Sequence, residues 1–118
     1  MNQPCSNNGT IQYGDFLNVD IRAGRIISAE EFIQAKKPAL KLTIDFGELG
    51  IKKSSAQITH YYKPENLLDK IVIAVVNFPP KQIANFMSEV LVLGLPDQQG
   101  NTVLVSPDLP VSPGARLH

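Results

Sequence analysis

The chain has 118 residues, with 11 Lys and Arg balanced by 11 Asp and Glu and 43% of its residues apolar. The length fits one domain of about 100–150 residues and leaves no room for a second. The zero net charge argues against a protein that holds nucleic acid mainly by bulk positive charge.

The lone cysteine, Cys5, excludes an internal disulfide framework and a multi-cysteine metal site. The start, Met1-Asn2-Gln3-Pro4, has neither the basic residues nor the apolar stretch of a secretory signal. The longest wholly apolar run, Ile71 to Val76, falls far short of the roughly 20 residues of a membrane helix. These features predict a soluble, cytoplasmic protein with no membrane insertion: a flexible tail over residues 1–14 and a single domain over 15–118.

Period-two patterning dominates from Asp15 onward. Val19, Ile21 and Ala23 alternate with Asp20 and Arg22, so a strand is expected there, with Gly24 as a bulge or bend and Arg25 to Phe32 continuing it. Lys36-Lys37-Pro38-Ala39 reads as a loop. Leu40, Leu42, Ile44 and Phe46 alternate with Lys41, Thr43 and Asp45, the clearest half-buried strand in the chain. Gly47 to Gly50 ends it in a turn, and Ser54 to Thr59 supplies a third strand with Ala56 and Ile58 on one face.

Pro64 to Leu68 predicts a short helical turn, with proline at a first helical position and Glu65 at the positive end of the dipole. Lys70 to Asn77 predicts a buried strand ended by Pro79-Pro80. Ile83 and Phe86, spaced i,i+3, predict one helical turn over Pro80 to Phe86. Ser88 to Leu95 and Thr102 to Val105 predict a hairpin around Pro96 to Gly100, and the prolines after Ser106 favour an extended or turning tail. Short strands with a helix between the third and fourth suggest an all-β, small closed barrel. A five-stranded Greek-key OB-fold has this layout; periodicity also allows an SH3-like barrel or an open sandwich.

Catalytic patterns are missing: there is no phosphate loop, dinucleotide fingerprint, zinc-protease helix or nucleophile elbow. His60 and His118 stand far apart without metal-ligand spacing, and on a strand the adjacent Glu30 and Glu31 point to opposite faces. The chain is therefore expected to be no enzyme and to need no metal or cofactor. Binding chemistry is better represented. Gln57 to Lys63, Asn77 to Gln82 and Asn85 to Glu89 combine polar donors with aromatic or adaptable apolar side chains, suited to stacking bases or to packing unfolded peptide. Lys36-Lys37 and Lys52-Lys53 are the rival, basic signal, although acids interleave with them and no basic run exceeds two residues.

Asp15 to Ile26 resembles the opening of CsaA, a bacterial secretion-related chaperone family. Ser54-Ser55-Ala56-Gln57-Ile58-Thr59, Ile73 to Ala84 (with Asn77-Phe78-Pro79-Pro80-Lys81-Gln82) and Ser88 to Gly94 extend the resemblance across residues 15–118. The resemblance implies an OB-fold of the tRNA-binding-domain type, similar to domains appended to methionyl-tRNA synthetases. It also implies a tight homodimer helped by terminal extensions over residues 15–18 and 106–118. The implied activity is non-enzymatic: unfolded preprotein segments are held in apolar pockets of the dimer, with the SecA translocation ATPase as a further partner. On this sequence the implied peptide-binding residues are Gln57, Asn77, Phe78, Pro79, Pro80, Ile83, Phe86 and Met87. The alternative implied is a structure-selective tRNA binder using Lys36, Lys37, Lys52, Lys53, Lys81 and Ser88. Against tRNA, Glu89 follows Ser88 where the related domains carry a Ser-x-Gly-Met element, and His60-Tyr61-Tyr62 stands where basic residues are common.

Overall fold

A computed structural model describes residues 9–118; Cys5 and residues 1–8 of the expected tail lie outside the described residues. A short helix, α1 (Tyr13–Leu17), starts where Asp15 accepts the Gln12 backbone N–H at 2.9 Å, so Tyr13 and Gly14 of the expected tail lie in a helix. Four strands follow: β1 (Ile21–Glu31), β2 (Leu40–Asp45), β3 (Ile51–Ala56) and β4 (Ile71–Val75). A second short helix, α2 (Pro64–Leu67), lies between β3 and β4 and carries proline in its first turn, as expected. Beyond β4 come only very short strands: β5 (Lys81–Ile83), β6 (Phe86–Ser88), β7 (Leu91–Val92), β8 (Gly94–Pro96) and β9 (Thr102–Leu104).

The main sheet has five strands in the order β3-β2-β1-β4-β7, each antiparallel to its neighbour. The long β1 serves two partners. Its first half pairs with β4 and its second half with β2, and Arg25 stands opposite both Ile71 and Asp45. The barrel is nearly closed where Ser88 to Val90 return to β3: the Glu89 and Val90 backbone N–H groups donate to the Lys53 carbonyl at 2.8 and 3.3 Å. Ile26, Leu42, Ile44, Phe46, Leu67 and Val72 have no exposed surface at the centre, and α2 plugs the barrel through Leu67. This is the OB-fold arrangement among the barrels that the periodicity allowed.

Four expectations of the strands need correction. The third strand runs over Ile51–Ala56 rather than Ser54 to Thr59, because its pairing with β2 ends at Ala56 opposite Leu40. The bulge in β1 falls between Ile26 and Ser28, not at Gly24. Gly24 is needed for another reason: a Cβ there would lie 2.5 Å from Ile44 and 2.6 Å from Phe46, so no side chain fits between β1 and the core. Pro80 to Phe86 is not a helical turn but the hairpin β5-β6, with Ala84 at φ 51° in its turn. The i,i+3 spacing of Ile83 and Phe86 misled because the two residues flanking a two-residue turn are also three apart, and here they face each other across it. Ser88 to Leu95 is not one strand: Glu89 and Val90 break it to close the barrel, leaving β7 on β4 and β8 in the expected hairpin with β9.

The C-terminal segment is extended and lies against β1. The Ala23 and Leu117 N–H groups donate to Ala115 and Ile21 carbonyls at 2.9 and 2.8 Å. Gly114 sits at φ 91°, and a Cβ there would meet the Phe46 carbonyl oxygen at 2.5 Å. Arg116 ties this segment to α1 through the Leu17 carbonyl at 2.9 Å and to Asp20 at 3.5 Å. The two terminal segments therefore adjoin, and they leave Tyr13, Leu17, Leu109, Val111 and Leu117 exposed.

Candidate functional site

The candidate surface is built where the chain leaves β4 and returns to close the barrel. Phe78 to Pro80 carries it from β4 to β5, and two prolines without N–H donors keep that crossing out of any ladder. Along the β5-β6 hairpin, Lys81 stands opposite Ser88, Gln82 opposite Met87, and Ile83 opposite Phe86. Directly paired residues share a face, so Lys81, Ser88, Ile83 and Phe86 lie on one side of the hairpin and Gln82 and Met87 on the other.

Three adjoining hollows run along this region. The first, about 450 Å³, is lined by Gln34, Lys36, Lys37, Gln57, Lys81 and Ile83 among others. The second, about 430 Å³, shares Ser55, Gln57, Lys81 and Ile83 with it and continues to Val90, Leu91, Val92 and Gly94. The third, about 300 Å³, is walled by Phe78, Pro79, Val90 and Leu91, with Lys81 and Ser88 at the join and Glu89 as its one acidic lining residue. The result is a groove with lysines at one end and apolar side chains at the other. No acidic side chain lines its first two hollows, and the described ion pairs engage Arg22, Arg25, Lys41 and Arg116 rather than Lys36, Lys37 or Lys81.

The structure thus brings together Gln57, Phe78, Pro79, Ile83, Lys36, Lys37, Lys81 and Ser88, which the sequence reading had divided between two ligands. The others are placed differently. Asn77 has both ends of its amide engaged within the chain: Oδ1 accepts the Asp20 N–H at 3.0 Å and Nδ2 donates to the Asn18 carbonyl at 2.8 Å. It anchors the approach to β1 and is not a polar partner in these hollows. Phe86 is half-buried edge-on against Phe32 at 5.3 Å, with Lys41 Nζ 5.8 Å from its ring centre, so it supports the hairpin from beneath. Met87 is 46% exposed on the outer face, away from the three hollows. Pro80 lies in the crossing. Lys52 and Lys53 sit on β3 outside the three hollows.

Ser88 and Glu89 have structural partners that the sequence did not reveal. Ser88 Oγ accepts the Ser55 N–H at 3.0 Å, and a Glu89 carboxylate oxygen accepts the Lys53 N–H at 3.0 Å. Both side chains stand in for ladder bonds at the barrel closure. Sequence reasoning also missed Leu91, which is 49% exposed while its neighbour Val92 packs against the core, a difference that the residue types alone do not signal.

The loop before α2 is tethered to the β8-β9 hairpin. The Tyr61 hydroxyl donates to the Asp97 carboxylate, which also accepts the Gln99 and Asn101 N–H groups at 2.9 Å each. This bond raises the Tyr61 hydroxyl above the ordinary tyrosine value, and it is also the largest cause holding Asp97 below the ordinary carboxylate value. Tyr62 completes the tether by accepting the Leu104 N–H at 3.0 Å. Among the described residues no cluster of His, Cys, Asp or Glu has the arrangement of a metal site, and no helix is long and apolar enough to cross a membrane.

Comparison with known proteins places this geometry. The model of the putative tRNA-binding domain matches residues 21–116. The chaperone CsaA of Bacillus anthracis superposes with a TM-score of 0.88 at 49% identity, covering 93% of this chain and all of that one. The CsaA chaperone of Picrophilus torridus superposes with a TM-score of 0.86 at 53% identity, covering 92% and 100%. A methionine–tRNA ligase of Sorangium cellulosum is 40% identical over 104 residues, which are 88% of this chain and only 15% of that enzyme. The chain belongs to the family of putative tRNA-binding domains and, within it, to the CsaA chaperones.

Proposed function

We propose that the chain is a non-enzymatic, cytoplasmic, export-related chaperone that holds unfolded preprotein segments as a homodimer. The observation that carries this reading is the groove: a continuous, exposed surface with apolar walls at Phe78, Pro79 and Leu91 and no catalytic constellation along it. Its likeness to two CsaA chaperones supports the same assignment. Apolar walls would shield sticky client segments, and Gln57 and Lys81 would fix their polar groups. The exposed apolar side chains of α1 and the C-terminal segment are the proposed dimer face, so two grooves would act on one long client. The SecA ATPase is the proposed recipient of such clients.

The test is suppression of aggregation of a chemically denatured protein, followed by light scattering. Wild-type chain should suppress it, and Phe78→Ala combined with Leu91→Ala should lose most of the effect while sedimentation still reports a dimer. Undiminished suppression by the double variant would remove the groove from the mechanism.

A second reading is tRNA binding. It is favoured by the acid-free hollow at Lys36, Lys37 and Lys81 and by the methionine–tRNA ligase relatives. A gel shift with tRNA across a salt series tests it. Binding that weakens steeply with salt supports this reading, and no shift at low salt rejects it.

A further inference from the structure

The barrel closes only in part. Because each strand of the main sheet is antiparallel to its neighbour, β3 and β7 run in the same direction on either side of the seam. At one end the seam is bonded: Lys53 takes the Glu89 and Val90 N–H groups, and the Ser55 N–H goes to Ser88 Oγ. Main-chain polar groups alternate in direction along a strand. Lys53 and Ser55 point theirs into the seam, so Gln57, two residues on, does the same; the buried side chains of Ser54, Ala56 and Ile58 carry this alternation past the end of β3.

Across the seam, Leu93 donates to Ile73 of β4, which leaves Val92 facing away from β4. Among the described residues neither Gln57 nor Val92 has a main-chain partner across the seam. Between these two lips lies the hollow of about 430 Å³.

We infer that this open seam accepts an extended, acid-bearing segment of an unfolded polypeptide as an added strand. The inference rests on the chaperone reading and supplies its binding mode. Main-chain pairing explains how one site can hold many sequences, since every peptide carries the same N–H and C=O groups. Charge selects among them: the seam opens into the hollow of Lys36, Lys37 and Lys81, which has no acid of its own, so carboxylates on the inserted segment meet unpaired cations. The apolar end at Phe78 and Leu91 takes a neighbouring apolar side chain.

The test uses the full chain and a fluorescein-labelled peptide of about six residues, the usual length of a strand, alternating Val with Glu and Ser. Anisotropy measures affinity, and amide hydrogen exchange measures the two lips. Binding should slow exchange at Gln57 and Val92. N-methylation of the central peptide residues should weaken binding about tenfold, the scale of one or two lost hydrogen bonds. Replacing Glu by Lys in the peptide, or introducing Lys36→Gln, Lys37→Gln and Lys81→Gln together, should weaken it about tenfold at low salt and much less at high salt.

Bound peptide with unchanged exchange at both lips and no effect of N-methylation overturns strand addition while leaving the chaperone reading intact. Failure of every peptide to bind overturns the inference. Binding of tRNA together with failure to suppress aggregation overturns the chaperone reading itself.

Discussion

Strands β1 to β4 run for 5 to 11 residues and enclose Leu42, Ile44 and Phe46 completely. Strands β5 to β9 run for only 2 or 3 residues and, with the crossing that precedes them, leave Phe78, Met87, Leu91 and Leu95 in solvent. The first region satisfies most of its main chain with neighbouring strands and hides nearly all of its apolar side chains, Ile51 at the start of β3 excepted. The second stops short on both counts, and its closure on β3 uses the side chains of Ser88 and Glu89 where a longer strand would use backbone. The contrast separates what holds the fold from what is free to meet a partner.

The contrast can be broken most forcefully in the first region. Leu42→Ala should cost about 2–5 kcal/mol of stability by urea titration, because a fully buried side chain is lost and its space cannot collapse. Phe86→Ala should cost less, about 1–2 kcal/mol, since only half of the ring is buried against Phe32. Ser88→Ala should cost about 1 kcal/mol by leaving the Ser55 N–H at the closure without its acceptor. Met87→Ala, on the open face of the same hairpin, should change stability by less than about 0.5 kcal/mol. If Met87→Ala proved as costly as Phe86→Ala, the two faces of the hairpin would be wrongly assigned.

The smallest effect is local and depends on pH. Asp97 is held below the ordinary carboxylate value, so its tether to Tyr61 contributes at neutral pH and is lost as acid protonates it. Tyr61 is raised, so its contribution persists below the ordinary tyrosine value and disappears as alkali ionises the hydroxyl. Tyr61→Phe should therefore speed amide exchange at Gln99 and Asn101 near neutrality and make no difference at either extreme.

How far the sequence could be read follows the same division. The alternation from Leu40 to Phe46 was legible because each inward side chain is fully buried and each outward one is not, which is the condition under which period two appears. The apolar run of β4 was legible because both of its faces are covered. The β5-β6 hairpin was not, since Ile83 and Phe86 satisfy helical spacing and hairpin pairing equally and only the backbone at Ala84 decides. Of the candidate site, Phe78, Gln57 and the lysines were visible by residue type. The roles of Asn77, Ser88 and Glu89 were not, because each binds main-chain groups that are distant in sequence, and no local pattern records such contacts.

The double service of β1 has a consequence for how the barrel assembles. Arg25 faces Asp45 across a short connection and Ile71 across a much longer one. Closing the longer loop costs more chain entropy before any contact offsets it, so the β1-β2-β3 meander should order first and β4 and β7 should dock onto it afterwards. In stopped-flow refolding, Ile44→Val should then slow folding, whereas Ser88→Ala should mainly hasten unfolding. The seam at Gln57 would be the last part of the barrel to meet its neighbours during folding, and it is also the part that remains unjoined when folding ends.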